Sequence, residues 1–292
     1  MNFPDITAQI VQALSFAPER GRIDSLFADM SPEVVEWSVN IDGDPRGRLR
    51  VAVWPTNVRH ARDALIRLSH PFASSIYDEI EQGIHRAGVG VALSANDTTV
   101  RLWAAPRPSH HRALLEVALR AEPRLAEPAH LLSDWCGGMA AYEGVSVEGR
   151  RDQVSRWTLY FSIPNRGVAE RLLEQIACRT SRQRDAFLKA FLGIESRHPK
   201  AFPKVWIGRS LGLSDGWKFY YFARLDPHPL PDQIVLDLVD ADPALREVWQ
   251  ILSPHAPPHH RYAGLIHLVG LTIPDDTHEP RTTIYFSLDT LQ

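Results

Sequence analysis

The stretch that decides the fold is RWTLYFSI, residues Arg156 to Ile163. In a β-strand, successive side chains point to opposite faces. One face of this stretch is wholly apolar and consists of Trp157, Leu159, Phe161 and Ile163. The opposite face is polar and consists of Arg156, Thr158, Tyr160 and Ser162. The stretch therefore predicts a β-strand with one buried apolar face.

Four further stretches repeat this pattern at long and roughly regular spacing: RLRVAVW (48–54), TVRLWAA (99–105), KFYYFAR (218–224) and RTTIYFS (281–287). Each of them places a cationic residue on one face of the strand and apolar residues on the other. In most of them an aromatic residue follows on the cationic face. Five such units indicate an internal repeat.

Each unit is predicted to contain two helices followed by two strands. The helices are expected at 6–14 and 23–30, 58–68 and 72–87, 110–120 and 128–135, 167–178 and 181–192, and 231–239 and 243–252. The strands are expected at 35–41 and 48–54, 89–93 and 99–105, 141–147 and 155–163, 204–211 and 217–224, and 262–272 and 282–288. Hydrophobic periodicity supports the helices and strands, and turn residues such as those of DGDPRG (42–47) separate the strands.

Ten antiparallel strands whose apolar faces all pack on helices can close into a barrel, which leaves no free edge. The predicted fold class is therefore α+β. It is a ten-stranded antiparallel β-barrel with an outer ring of helices, built from five ααββ repeats in a single domain over residues 1–292. A barrel of about ten strands is too wide for side chains alone to fill. We therefore expect the cationic and aromatic residues to line a ligand chamber.

Composition excludes several other classes of protein. The formal net charge of −3 over 292 residues gives no general nucleic-acid footprint. No apolar run approaches the length of a membrane span, and the N-terminus lacks the features of a signal peptide. The two cysteines and the adjacent histidine pairs lack metal-ligand spacing, so no metal site made of side chains is predicted. We expect a cytoplasmic monomer with no nucleic-acid or membrane partner.

The fivefold ααββ repeat resembles the ABBA aromatic prenyltransferase superfamily, and the resemblance covers nearly the whole chain. Within it, the chain looks most like the cyanobactin-type peptide prenyltransferases. That narrower likeness is carried by the chain length, by VEWSVNIDGD (35–44) and by the four residues DTLQ after the last predicted strand. So short an ending is expected to leave the barrel mouth uncovered for a peptide.

The resemblance implies an allylic diphosphate held by cationic residues on the second strands, with tyrosines shielding the carbocation. The predicted diphosphate-binding residues are Arg50, Arg101, Arg156, Thr158, Lys218 and, from the strand pattern, Arg281. The predicted carbocation shield and prenyl pocket comprise Trp103, Tyr160, Tyr220, Tyr285 and, as a limit to pocket depth, Trp206. Glu36 matches the acidic residue near the acceptor and is the predicted catalytic residue. Thr158 departs from the pattern because related enzymes of the fungal indole branch have lysine there, and Trp103 stands where tyrosine is common.

These residues suit the ionisation of an allylic diphosphate. Cationic groups stabilise the leaving diphosphate, aromatic faces stabilise the carbocation, and a carboxylate accepts the proton that the acceptor loses. The expected function is transfer of a dimethylallyl or geranyl group to a side chain of a ribosomal peptide, and that peptide is expected to be cyclic. The family comparison suggests Mg²⁺ as an aid to the diphosphate, and no organic cofactor is expected. Two alternatives stay open at this point: a small aromatic acceptor, and a non-catalytic barrel that binds an anionic lipid or peptide.

Overall fold

The computed structural model contains ten strands among the residues that it describes. The residues it describes are 2–14, 20–40, 49–68, 77–79, 81–94, 97–150, 153–177, 205–212, 215–222, 240, 242–256, 265–275 and 281–289. The strands are β1 (Pro32–Asn40), β2 (Leu49–Pro55), β3 (Ile84–Ser94), β4 (Asp97–Pro106), β5 (Tyr142–Arg150), β6 (Gln153–Ile163), β7 (Val205–Gly212), β8 (Gly216–Tyr221), β9 (Ile266–Pro274) and β10 (Arg281–Asp289).

The sheet closes on itself. Every strand pairs with its neighbours in the sequence, and β1 also pairs with β10, so that the ten strands form a closed barrel. All ten pairings are antiparallel. The predicted α+β class and the ten-stranded antiparallel barrel are therefore confirmed.

Helices cover the outside of the barrel. They are α1 (Phe3–Ala13), α2 (Arg20–Phe27), α3 (Arg59–Arg67), α4 (His111–Ala121), α5 (Ala126–Cys136), α6 (Arg166–Ala177) and α7 (Pro243–Leu252). Residues 77–79 are helical as well. The predicted helices at 181–192 and 231–239 lie outside the described residues. No helix in the described part of the chain is both long and apolar enough to cross a membrane.

The main hydrophobic core lies between the outer faces of the strands and the inner faces of the helices. Helix α4 packs against β5, and helices α5 and α6 pack against β6. Trp37 on β1 is fully buried in this layer, and its indole Nε1 donates a hydrogen bond of 3.1 Å to Thr7 Oγ1 on α1. Trp157, Leu159, Phe161 and Ile163 are buried there too, as the apolar face of the deciding stretch predicts. Because this face is used outward, the polar strand faces are left to line the lumen.

The predicted boundary between the helix at 72–87 and the strand at 89–93 is wrong. The helix expected at 72–87 does not extend to its predicted end, because Ile84 to Ala87 belong to β3. A register shift between Ile84 and Arg86 marks a β-bulge at this point. A bulge inserts an extra residue into a strand and breaks its period of two. Ile84 and Ala87 are both buried in the outer core, and their spacing of three residues imitates a helical pattern.

Candidate active site

The lumen contains a layer of buried cationic side chains. This cation layer consists of Arg50 on β2, Arg101 on β4, Arg156 on β6 and Lys218 on β8, one from the second strand of each of the first four repeats. Arg101 and Lys218 are buried, and the side chains of Arg50 and Arg156 are 11% and 14% exposed. The structure therefore brings four of the predicted diphosphate-binding residues together.

The carboxylate of Glu148 on β5 lies among the three arginines. Its Oε2 atom is 3.5 Å from Arg50 Nη2, 3.9 Å from Arg101 Nη1 and 3.8 Å from Arg156 Nη1. Thr99 Oγ1 donates a hydrogen bond of 3.1 Å to Glu148 Oε1. The sequence prediction missed Glu148, although its place on β5 could have signalled it. It alternates with Val147 and Val145, and so belongs to the inward face.

Arg101 is the most deeply placed member of the cation layer and is only 1% exposed. Its Nε and Nη2 atoms donate to Ser146 Oγ at 3.1 and 2.7 Å, and Nη2 also donates to the Tyr160 hydroxyl at 2.7 Å. Ser146 Oγ and the Tyr160 hydroxyl are themselves 2.9 Å apart. Burial opposes the charge of Arg101, but Tyr160 and Glu148 outweigh that effect and raise the pKa of its guanidinium. This arginine is therefore fixed in place and stays charged.

The cation layer carries more positive charge than the described carboxylates around it can neutralise. Three guanidiniums face Glu148 and the amine of Lys218 lies beside them, whereas the described carboxylates near the layer are those of Glu148 and Glu36. Lys218 forms no hydrogen bond or ion pair with another described residue. Its pKa lies well below the usual value, first because of burial and then because of repulsion by Arg156, Arg101 and Arg50. Buried charges need partners, so an anion with several negative charges would stabilise this layer.

Aromatic side chains line the lumen next to the cation layer. This aromatic wall consists of Trp103, Tyr160, Trp206, Tyr220, Phe222 and Tyr285, and Leu268 packs among the rings. Ring centroids lie 5.7 Å apart for Tyr160 and Tyr220, 6.1 Å for Tyr220 and Tyr285, and 4.5 Å for Trp206 and Phe222. The structure therefore brings all five predicted shield residues together and adds Phe222 and Leu268 to them.

Two glycines on the inward face of β3 leave room for indole rings. A side chain at Gly88 would place its Cβ 2.8 Å from the ring of Trp54, and one at Gly90 would place it 2.8 Å from that of Trp103. Arg101 stacks over the Trp103 ring with its Cζ 4.7 Å from the centroid. Because Gly88 and Gly90 have no side chains, Trp103 can lie beside the cation layer. The sequence analysis did not anticipate this role of the two glycines.

Glu36 lies on the inward face of β1, opposite Ala52 of β2 and Ser287 of β10. It is 8% exposed, lines the cavity and forms no hydrogen bond or ion pair with another described residue. Burial raises the pKa of its carboxyl to about 7, although Arg50, Arg86 and Arg101 act in the opposite direction. A carboxyl with such a pKa can take up and release a proton near neutral pH.

The cavity has a volume of about 410 Å³ and runs along the lumen from Arg101 to the strand ends. Its deep part is bounded by Arg101, Tyr160, Tyr220 and Tyr285, and its mouth by Glu33, Arg86 and Glu143. Arg86 stacks over the Trp54 ring with its Cζ 4.9 Å from the centroid, and the sequence prediction did not include it. Arg50, Arg156 and Lys218 do not line the cavity, so Arg101 is the link between the cation layer and the open space.

Two predicted diphosphate-binding residues are placed differently from the cation layer. Thr158 is fully buried, and its Oγ1 lies 2.8 Å from Ser210 Oγ on β7, so the hydroxyl is already hydrogen-bonded. Arg281 is exposed at the first residue of β10 and forms no hydrogen bond or ion pair with another described residue. Because β10 begins there, the Arg281 side chain extends into solvent. The prediction that it joins the other cations is therefore not supported.

The residues around the cation layer do not fit a metal ion held by the protein. Among the described residues no group of three or more His, Cys, Asp and Glu side chains could hold one. The carboxylate of Glu148 is surrounded by three arginines, whose charges would repel Mg²⁺. A magnesium ion that assists a diphosphate would therefore take its ligands from phosphate oxygens and water rather than from the described side chains of this layer.

Comparison with known proteins identifies the fold. No family model and no curated protein match the chain. Among solved structures, prenyltransferase PriB in its apo form has a TM-score of 0.63 at 16% identity, covering 97% of this chain and 95% of its own. Prenyltransferase NotF has a TM-score of 0.63 at 12% identity, with 96% and 92% covered, and it has also been solved in complex with brevianamide F and DMSPP. AnaPT from Neosartorya fischeri has a TM-score of 0.59 at 12% identity, with 90% and 79% covered.

The chain therefore has the barrel fold of the ABBA prenyltransferases over nearly its whole length. At the level of the fold, the resemblance that the repeat pattern indicated is confirmed.

Proposed function

We propose that the protein is a prenyltransferase that moves a dimethylallyl or geranyl group from its diphosphate to a side chain of a peptide. The observation that carries this proposal is the surplus of buried positive charge in the cation layer, directly beside the aromatic wall. A prenyl diphosphate is complementary to both features, since one end of it is a multiply charged anion and the other is apolar. The fold shared with prenyltransferases, one of them solved with DMSPP, supports the same donor.

The cation layer would lower the barrier to ionisation. When the bond between the prenyl carbon and the diphosphate oxygen breaks, the electron pair leaves with the diphosphate, whose negative charge increases. Guanidinium and ammonium groups held in place beforehand stabilise that charge without having to reorganise. Arg101 is the most firmly held of these groups, because Ser146 and Tyr160 accept hydrogen bonds from its guanidinium.

The aromatic wall would stabilise and protect the allylic carbocation. Ring faces attract cations through their quadrupoles, each contact being worth roughly 0.5–2 kcal/mol. The rings of Tyr160, Tyr220 and Tyr285 are buried and adjacent. They would also exclude water, which would otherwise trap the carbocation as an alcohol.

Glu36 would accept the proton that the acceptor loses. It lines the same cavity as Tyr160 and Tyr285, so an acceptor between them can approach both the prenyl carbon and the carboxylate. Its pKa of about 7 leaves a substantial fraction ionised at neutral pH. Such a carboxylate is matched to proton transfer near that pH.

A peptide acceptor is supported by the extent of the cavity, which continues from buried Arg101 to half-buried Glu33 and Glu143 at the surface. A side chain can enter such a channel while the rest of the peptide stays outside. The second candidate is a small-molecule acceptor, which the structure of NotF with brevianamide F and DMSPP favours.

The test is to incubate the protein with dimethylallyl or geranyl diphosphate, Mg²⁺ and a panel of acceptors, and to measure products by mass spectrometry. The panel contains linear and cyclic peptides and small phenols and indoles. We expect a peptide product heavier by one prenyl unit. Products from the small acceptors alone would favour the second candidate. Binding of the diphosphate without any product would contradict both, and would indicate a barrel that only binds an anionic ligand.

The matched variants are Arg101→Gln, which removes the guanidinium that links cation layer and cavity, and Arg120→Gln, which removes an exposed arginine paired with Glu79 on the outer surface. We expect the first to abolish turnover and weaken diphosphate binding, and the second to leave both unchanged.

A further inference from the structure

The mouth of the cavity has the opposite charge to its floor. Among the described residues, the carboxylates of Glu33 and Glu143 lie at the mouth and that of Glu36 lies just inside it, against the guanidinium of Arg86. The Arg86 side chain stacks over the Trp54 ring on the cavity wall. Charges in a cleft with low-dielectric walls act on a ligand more strongly than charges on an open surface. The lumen therefore attracts an anion at its floor and a cation at its mouth.

Glu36 is the strongest element of this acidic mouth. It is more than nine-tenths buried, lines the cavity, and has no hydrogen-bonding or ion-pairing partner among the described residues. A buried carboxylate without a partner is costly unless a ligand supplies one. Glu143 likewise forms no hydrogen bond or ion pair with a described residue, and it is half-buried.

Aromatic rings stand beside these carboxylates. Trp54 and Trp103 lie with their ring centroids 6.0 Å apart on one wall of the cavity, and Trp206 and Phe222 lie 4.5 Å apart on another. Ring faces combined with carboxylates form a recognition site for cationic nitrogen groups, which the rings bind through cation–π attraction and the carboxylates through charge and hydrogen bonds.

From these observations we infer that the acceptor group is a cationic nitrogen side chain, such as the guanidinium of arginine, which Glu36 and Glu143 draw into the cavity and Glu36 deprotonates. This inference rests on the proposed function and narrows its acceptor. In the step itself, a carbon–nitrogen bond forms between the acceptor and the prenyl carbon. The bond from that carbon to the diphosphate oxygen breaks, and the diphosphate leaves with the electron pair. The proton from the attacking nitrogen passes to the Glu36 carboxylate.

Loss of that proton is necessary on charge grounds. A cationic nitrogen and an allylic carbocation repel each other, and an ammonium has no lone pair with which to attack. A carboxylate that first attracts the cation and then removes its proton eliminates the charge repulsion. It also gives the nitrogen the lone pair that it needs for attack. Glu36 can do this because burial raises its pKa to about 7, so that it binds the proton far more tightly than an ordinary carboxylate would.

The experiment compares peptides, linear and cyclic, that differ at one residue only: arginine, its neutral isostere citrulline, lysine, or norleucine. Binding is measured without donor through the fluorescence of the cavity tryptophans. We expect the arginine or lysine peptide to bind at least about tenfold more tightly than its neutral counterpart. This ratio should fall as the salt concentration rises, because ions screen the carboxylates at the mouth. With donor present, the prenyl group should appear on the cationic residue.

Glu143→Gln and Glu36→Gln should each reduce the ratio of cationic to neutral binding, and the double variant should bring it close to one. Glu116→Gln, at an exposed position paired with Arg112 on α4, is the matched control and should leave the ratio unchanged. The salt series on the unmodified protein needs no variant, so it keeps the inference testable if the double variant does not fold.

Equal binding of the arginine and citrulline peptides, and of the lysine and norleucine peptides, would overturn the inference. A ratio that survives in the folded double variant would overturn it too. Failure of the proposed function is measured separately, by titration with dimethylallyl diphosphate alone. If the diphosphate binds and the prenyl group is transferred to neutral residues only, the proposed function stands and the cationic acceptor is wrong.

Discussion

Replacing Glu148 by glutamine tests whether the cation layer holds surplus positive charge. At an effective dielectric constant of about 20, each pair of unit charges about 4 Å apart attracts by about 4 kcal/mol. Glu148 has three such pairs, with Arg50, Arg101 and Arg156 at 3.5 to 3.9 Å. Desolvation offsets most of this attraction, but removing one partner of a buried ion pair typically costs about 3–5 kcal/mol because the other charge is left uncompensated.

We therefore expect Glu148→Gln to lower the free energy of unfolding by about 3–5 kcal/mol in the absence of an anion. For a chain of this length that corresponds to a Tm lower by roughly 10 °C. Inorganic pyrophosphate should restore part of the loss, since a ligand at about 100 times its Kd adds about 2.7 kcal/mol. The variant should also bind pyrophosphate more tightly than the unmodified protein, because one negative charge has gone from the site.

The assay is thermal unfolding with and without pyrophosphate, together with calorimetric titration. The control is Glu116→Gln, which removes a carboxylate from an exposed ion pair and should leave the Tm unchanged. The reasoning is refuted if Glu148→Gln is as stable as the unmodified protein. It is refuted equally if the folded variant binds pyrophosphate more weakly, since Glu148 would then help to bind the anion.

Four further predictions concern turnover and stability as functions of the Glu36 charge, the buried amine of Lys218, and Gly90 on β3. The pKa of Glu36 is raised to about 7, so turnover should increase as the pH rises through that value. Glu36→Gln should slow turnover, remove this pH dependence and leave donor binding unchanged. If turnover of the variant still rises with pH, the proton transfer belongs to another group. Folded Glu36 keeps its proton up to about pH 7, whereas an unfolded glutamate releases it near pH 4.5. The free energy of unfolding should therefore fall as the pH rises between these two values. Thermal unfolding of the Glu36→Gln variant should show a smaller fall. Lys218→Met removes a buried amine whose positive charge three arginines repel, so we expect no loss of stability. Calorimetry should show donor affinity reduced at least about tenfold. Unchanged donor affinity would exclude Lys218 from the donor site. Gly90→Ala places a Cβ 2.8 Å from the Trp103 ring and should lower the free energy of unfolding by about 1–3 kcal/mol, measured by chemical denaturation. Gly21→Ala is the control and should cost no stability, because its Cβ would meet no atom within 4 Å. Equal stability of the two variants would contradict the packing on β3.

The sequence predicted the barrel because alternation along each strand is a local property. Arg156, Thr158 and Tyr160 had to share a face once the stretch was recognised as a strand, and the apolar residues between them had to face the helices. The same reasoning placed Arg50, Arg101 and Lys218 on the inward face. It could not tell which of these side chains meet, because that depends on the register between strands.

Glu148 and Arg86 were missed for different reasons. Glu148 belongs to the site only because the pairing of β4 with β5 sets it opposite Arg101, and the pairing of β5 with β6 sets it opposite Arg156. Arg86 was missed because it falls within the helix expected at 72–87, although in β3 it alternates with Ala87 and shares the inward face of Gly88 and Gly90. Arg281 shows a different limit of the pattern. Alternation along the strand predicted which face Arg281 belongs to, but it could not predict that β10 begins at this residue and leaves the side chain exposed.

The most direct test of the central claim is a crystal structure of the protein with an unreactive thiolo analogue of dimethylallyl diphosphate. We expect the diphosphate to lie within hydrogen-bonding distance of Arg101 and of at least one of Arg50, Arg156 and Lys218. The prenyl group should then lie against the rings of Tyr160, Tyr220 and Tyr285. A diphosphate bound at the mouth on Arg86, or outside the barrel, would contradict the account.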